Sequence, residues 1–249
     1  YDVIEEEGSI WLVMELVDAP SLSQLIADRG RLDHPRVALI GADVVGALEA
    51  AHAVGVVHRD VKPANVLVGL GQRAKLADFG VAFLHDDTRV TATGLVIGSP
   101  AYMAPEQALG ESVGPAADLW ALGATLYYAY EGRPPFDGGT PVATASAVVH
   151  GSPRAEQHPG PLSPIVARLL DKDPTARPST GELHQLLLEV AATPTPSPPP
   201  VLIPAPGDGG DAADPAAGGG GDADAASPAE GTLATTAIDR EELGPPAPP

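Results

Sequence analysis

Apolar and polar positions along the first two thirds of the chain fall into blocks, and the period of each block predicts its element. Ile10 to Val17 is a β-rich apolar run interrupted by Glu15, and the preceding Glu7-Gly8-Ser9 reads as a turn. Residues 1–6 and 10–16 are therefore predicted as two antiparallel strands. In Ser21-Leu22-Ser23-Gln24-Leu25-Ile26 a Ser and a Gln stand three residues apart ahead of an apolar face, a capping box that starts a short helix. Asp33-His34-Pro35 opens a long helix to Val54, with Gly55 as its stop.

Further along, Val56–His58, Val66–Val68 and Lys75–Ala77 read as short strands. A second buried helix over 117–130 contains Leu119, Trp120, Leu122 and Leu126, and Gly132-Arg133-Pro134-Pro135 breaks it. A last helical pair is predicted over 163–170 and 180–191. The stretch 37–57 is apolar over the length of a membrane span. It contains Asp43, Glu49 and His52, each costly at a bilayer centre. Because Leu39, Val44, Leu48 and Ala51 recur at helical spacing, it reads as a buried globular helix.

Composition divides the 249 residues unevenly. From Thr193 onward there is no aromatic residue, and nine acidic residues face one arginine. A segment so poor in large apolar groups cannot offset its ordering entropy, so 193–249 is expected to be a disordered linker rich in Pro, Ala, Gly and Asp. Of the net charge of −19, the tail holds −8, and the remaining −11 on residues 1–192 argues against nucleic-acid binding as a main activity. Cysteine is absent, which removes disulfides and thiolate catalysis and fits a reducing compartment; the expected location is the cytoplasm. The seven His residues show no metal-ligand spacing, and His58 reads as a packed core residue.

Three motifs carry the chemistry: His58-Arg59-Asp60-Val61-Lys62-Pro63-Ala64-Asn65, then Asp78-Phe79-Gly80, then Ala104-Pro105-Glu106. A lone Asp is as often a surface or capping residue, but three motifs in this order and spacing resemble the protein kinases. The resemblance is to the Hanks-type (eukaryotic-like) bacterial Ser/Thr kinases, in particular the actinobacterial receptor kinases, and it covers residues 1–192. It implies an α+β, protein-kinase-like fold. Residues 1–17 would be the last strands and hinge of the upper lobe, and 18–192 the helical lower lobe.

The resemblance also implies roles. ATP and Mg2+ are the expected cofactors, and proteins presenting Ser or Thr hydroxyls the expected substrates. Phosphoryl transfer asks mainly for positioning and charge stabilisation. Asp60 would orient the acceptor hydroxyl and take its proton, and Lys62 would place an ammonium near the transferring phosphate. Asn65 and Asp78 would hold magnesium through oxygen. Lys62, two residues after Asp60, resembles Ser/Thr rather than tyrosine kinases. Met14, Glu15 and Val17 would border the adenine, with Leu67 as the pocket floor.

Arg59 beside Asp60 resembles kinases switched on by phosphorylation of the activation loop, and Thr91 and Thr93 are the expected sites. Self-association for trans-autophosphorylation is expected with them. Ser99 lies in the docking loop Gly98–Met103, where its hydroxyl would bridge Asp60 and Lys62. Glu106 and Arg177 match a buried ion pair of the family, and Asp118 matches the Asp that braces the catalytic-loop backbone. These three residues, with Arg59, are structural supports.

Some of the family pattern is missing. No Gly-x-Gly-x-x-Gly run precedes Ile10, and no Lys precedes Lys62. The expectation is a kinase truncated at its N-terminus, weakly active or inactive as it stands; the alternative is a pseudokinase or scaffold without the upper lobe. Retention of Asp60, Lys62, Asn65 and Asp78 favours the former. A small-molecule phosphotransferase would share the Asp and Asn loop, but Ala104-Pro105-Glu106 and the docking loop point to protein substrates. A membrane span and sensor beyond residue 249 are conjectured from the Pro- and Ala-rich linker alone.

Overall fold

The computed structural model describes residues 2–6, 9–69, 71, 73–79 and 100–193. Gly80, Thr91, Thr93, Ser99 and the linker from 194 lie outside them. The chain divides after Leu16 into two units.

The first contains a hairpin. Strand β1 (Asp2–Glu6) pairs antiparallel with β2 (Ser9–Val13), with Ile4 opposite Trp11 and Asp2 opposite Val13. The predicted second strand extended to Leu16, whereas β2 ends at Val13. Its last partner is Asp2, so the ladder stops there, and Leu16 is 86% exposed.

The second unit is mostly helical. Helix α1 (Leu22–Arg29) begins at the predicted capping box: the Gln24 amide donates to Ser21 Oγ at 3.2 Å, and the Ser21 amide donates to Gln24 Oε1 at 2.8 Å. Helix α2 (His34–Ala53) begins with Asp33 as N-cap, Pro35 in its first turn, and ends before Gly55, whose φ of 79° suits a residue without Cβ. Strands β3 (Val66–Val68) and β4 (Ala74–Leu76) pair antiparallel, and Ser21 forms a bridge to Leu67.

Helix α2 packs on α4 (Pro115–Glu131) and on α7 (Thr180–Ala191), and α4 packs on α6 (Ser163–Leu169). The core they enclose includes Leu48, Trp120, Leu126, Tyr127, Tyr130 and Leu187, all nearly inaccessible. At Gly123 a Cβ would lie 2.6 Å from that of Leu169, so the missing side chain lets α6 approach α4 closely. Helix α3 (Pro105–Ala108) and helix α5 (Pro141–His150) complete the unit. Neither was predicted, although Thr140 caps α5 ahead of Pro141, a start signal legible in sequence.

Two polar residues of the apolar stretch 37–57 find partners that a bilayer would not offer, and Glu49 is exposed. Asp43 Oδ2 accepts from the Ala74 amide at 2.8 Å, anchoring β4 to α2, and His52 bonds Asp118 at 2.7 Å. Among the described residues no helix is long and apolar enough to cross a membrane.

Val56–His58 is not a strand. The Val56 amide closes back onto Ala51, and the His58 amide goes to the Asp118 carboxylate, so no neighbouring strand among the described residues is engaged. The third predicted strand is β4, one residue earlier than expected. The Ala77 N–H still donates to Asn65 O at 2.8 Å, in register with the ladder, but the pairing ends there because the Asn65 N–H turns back to Lys62 O and the Ala77 carbonyl accepts from His58.

Candidate active site

The loop His58–Asn65 is held from beneath by one carboxylate. Asp118, fully buried in the first turn of α4, accepts the His58 amide at 2.9 Å on Oδ2 and the Arg59 amide at 2.7 Å on Oδ1. His52, in the last turn of α2, donates Nε2–H to the same Oδ2. Nothing in the local sequence of His52 announces this role; an imidazole inside an apolar helix was the available signal.

His58 is completely buried and its tautomer follows from its partners. Its Nε2 lies 2.9 Å from the Ala77 carbonyl, which only accepts, and its Nδ1 lies 3.2 Å from the Asp60 amide, which only donates. Only neutral imidazole with the proton on Nε2 satisfies both. The ring also contacts Phe79, centroids 4.6 Å apart. These bonds tie the end of β4, and hence Asp78, to the loop.

Arg59 (φ 65°) and Asp78 (φ 62°) adopt left-handed backbone conformations, which a residue with Cβ occupies only where its surroundings over-determine it. At Arg59 the tight turn redirects the chain so that Asp60 projects toward Lys62 and Asn65. Lys62 Nζ donates to Asp60 Oδ2 at 2.8 Å. Asn65 Nδ2 donates to the Asp60 carbonyl at 2.9 Å and to Oδ2 at 3.2 Å. The structure thus brings Asp60, Lys62 and Asn65 into one hydrogen-bonded group.

Asp60 and Lys62 are each about a third open to solvent, at 33% and 27%. Asp78 is exposed, and Asn65 is buried. Because the Asn65 amide nitrogen is committed to Asp60, its Oδ1 is the atom left to meet a cation. An amide oxygen and a carboxylate suit a hard ion that also binds phosphate oxygens and water. Among the described residues no cluster of three or more His, Asp or Glu could hold a metal by itself.

Met14 and Glu15 follow β2 as exposed residues in the first unit, whereas Val17 and Leu67 belong to the second. Leu67 lies in β3, paired with Lys75 and bridged to Ser21.

The turn Pro100–Tyr102 leads into α3, and the two are fixed from below. Arg177 donates from Nη1 and Nη2 to the Glu106 carboxylate at 2.6 and 2.9 Å, from Nη1 to Ala116 O, and from Nε to Asp171 O. A cavity of about 330 Å³ opens between Pro100–Tyr102 and the segment Pro134–Thr144, with Tyr102, Phe136, Asp137 and Thr144 in its wall. Burial pushes the Tyr102 hydroxyl well above the ordinary tyrosine range, so it stays protonated. One contact was not anticipated at all: Gln107 donates from Nε2 to the Arg59 carbonyl at 3.1 Å.

A loop of this construction, carried on this succession of helices, defines a protein-kinase-like α+β fold. The sequence matches the protein kinase domain family over residues 1–187, and the chain belongs to that family. Curated relatives are bacterial serine/threonine-protein kinases. PkaA of Streptomyces coelicolor is 40% identical over 194 residues, covering 76% of this chain and 36% of the relative. AfsK of the same organism is 38% identical over 178 residues, covering 71% and 22%. PknB of Mycobacterium leprae is 37% identical over 201 residues, covering 76% and 32%. The matched region is thus well under half the length of each of these relatives.

Proposed function

We propose that the protein transfers the γ-phosphoryl group of ATP to Ser or Thr hydroxyls of protein substrates. The observation that carries this reading is the joint attachment of Lys62 and Asn65 to Asp60 Oδ2. Both bonds from described residues fall on Oδ2, which leaves Oδ1 for an incoming hydroxyl. Asp60 orients that hydroxyl and accepts its proton. Lys62 lies beside it, where an ammonium offsets charge on the transferring group. ATP supplies the phosphoryl group, and Mg2+ neutralises its phosphate oxygens. Asn65 Oδ1 and the Asp78 carboxylate would hold the metal.

The Pro100–Tyr102 turn and its cavity support a peptide rather than a small-molecule acceptor, because an open surface beside a turn that α3 links to the loop through Gln107 and Arg59 suits an extended chain. Thr91 and Thr93 are the proposed sites of activating phosphorylation, reached by a second copy in trans, and the kinase lobe is assigned to the cytoplasm, where ATP is available.

The test is ATP-dependent phosphorylation of the full natural protein, mapped by mass spectrometry beside an Asp78→Asn control. Phosphate on Thr91 or Thr93 that disappears in the control upholds the reading. No incorporation by the full protein, toward itself or a generic protein substrate, would overturn it and assign the fold a binding role.

A further inference from the structure

Arg59 is strained, and both of its backbone polar groups are held by side chains from outside its own loop. Its N–H donates to Asp118 Oδ1 at 2.7 Å, and its carbonyl accepts from Gln107 Nε2 at 3.1 Å. The first support is itself fixed by His52. The second belongs to α3, and the other end of the same amide is also engaged: Gln107 Oε1 accepts the Ala104 amide at 3.0 Å. One planar group therefore connects the entry of α3, where Glu106 is locked by Arg177, to the peptide that joins Arg59 to Asp60.

We propose that Gln107 is a positioning residue, coupling the segment Pro100–Glu106 to the loop that carries Asp60. The Arg59 carbonyl lies in the peptide plane between Arg59 and Asp60, so its orientation sets the direction in which the Asp60 side chain leaves the backbone. Holding that carbonyl from α3 makes the aim of Asp60 depend on the placement of the turn that receives the acceptor. The inference rests on the reading of Asp60 as the residue that orients the acceptor. A misaimed carboxylate costs rate, because effective reaction requires the reacting atoms within a narrow range of approach.

The side chain has two bonds with different consequences, and the Gln107→Glu variant separates them. Glutamate keeps an oxygen for the Ala104 amide, and its charge suits the first turn of a helix, so the local fold is retained. It has no donor for the Arg59 carbonyl. Gln107→Ala loses both bonds.

In the full natural protein, both variants are expected to lower kcat roughly tenfold with KM for ATP unchanged. Gln107→Glu should melt at the wild-type temperature, and the amides of residues 58–62 should exchange with deuterium faster in both variants. Wild-type kcat and wild-type exchange in Gln107→Glu would overturn the proposal, leaving Gln107 as a cap of α3. If the unaltered protein transfers no phosphate, the kinase reading fails by itself and exchange still decides the coupling. Unchanged protection of 58–62 in Gln107→Glu then overturns it, and faster exchange upholds it.

Discussion

Arg177 and Glu106, far apart in sequence, meet as a two-pronged ion pair in the interior, with bonds of 2.6 and 2.9 Å and almost no solvent on either side chain. The guanidinium also contacts the Trp120 ring at 5.2 Å. Each charge is tolerated in the core only because the other is there. Arg177→Met leaves a buried carboxylate without its partner and should destabilise the fold by about 3–5 kcal/mol. Urea unfolding checks this. The double replacement Glu106→Leu, Arg177→Met should recover most of the loss, which a simple packing defect at Arg177 would not allow.

Asp60 contributes little to packing, being a third exposed, yet it is the acceptor for both Lys62 and Asn65. Asp60→Asn is expected to reduce phosphate transfer by at least about a hundredfold while leaving the melting temperature nearly unchanged. Radiolabelled ATP and a thermal melt measured on the same sample give both readouts.

Lys172 donates to the Val148 carbonyl and lies over Trp120 and Phe136, with its ammonium 4.7 and 4.4 Å from the ring centroids. Burial first, and the Arg177 charge second, push it down from 10.5 to about 8. Between those values the unfolded chain holds a proton that the folded protein has released, so stability rises with pH through the window. Above pH 10 the trend is opposed by Tyr102 and Tyr130, whose hydroxyls burial raises: unfolded tyrosines ionise first, and their contribution is lost as pH climbs. The net rise should therefore appear between pH 8 and 10. Solvent on the open side of Lys172 screens the effect, and the ring faces favour the cation, so the gain is on the order of 1 kcal/mol. Denaturant midpoints at pH 7.5 and 9.5 measure it, and Lys172→Met should flatten the profile.

Gly123 leaves no room for a larger residue. Gly123→Ala places a methyl 2.6 Å from the Leu169 Cβ and should cost about 1–3 kcal/mol by forcing α4 and α6 apart. A smaller gain in helix propensity does not compensate. Thermal unfolding compares the two, and a variant as stable as wild type would show that α6 shifts freely.

The sequence by itself determined the parts of this protein governed by short-range chemistry. The Ser21–Gln24 box, the Asp33-His34-Pro35 start and the Gly55 stop each act within about one helical turn, so the starts of α1 and α2 and the stop after α2 are legible without tertiary information. The order of the three motifs likewise singled out Asp60, Lys62 and Asn65 as candidates, and they meet within one loop.

Tertiary structure decided what local chemistry cannot reach. Val56–His58 has the composition of a strand, but a carboxylate sixty residues later takes the His58 amide, and no ladder forms with the described residues. His52 and Gln107 resemble ordinary helix residues until folding places one against Asp118 and the other against Arg59. A strained backbone at Arg59 is stable only when distant groups hold it from both sides. Those distances are closed by the packing of α2 on α4 and by the Arg177 pair that anchors α3 through Glu106, which no local pattern encodes.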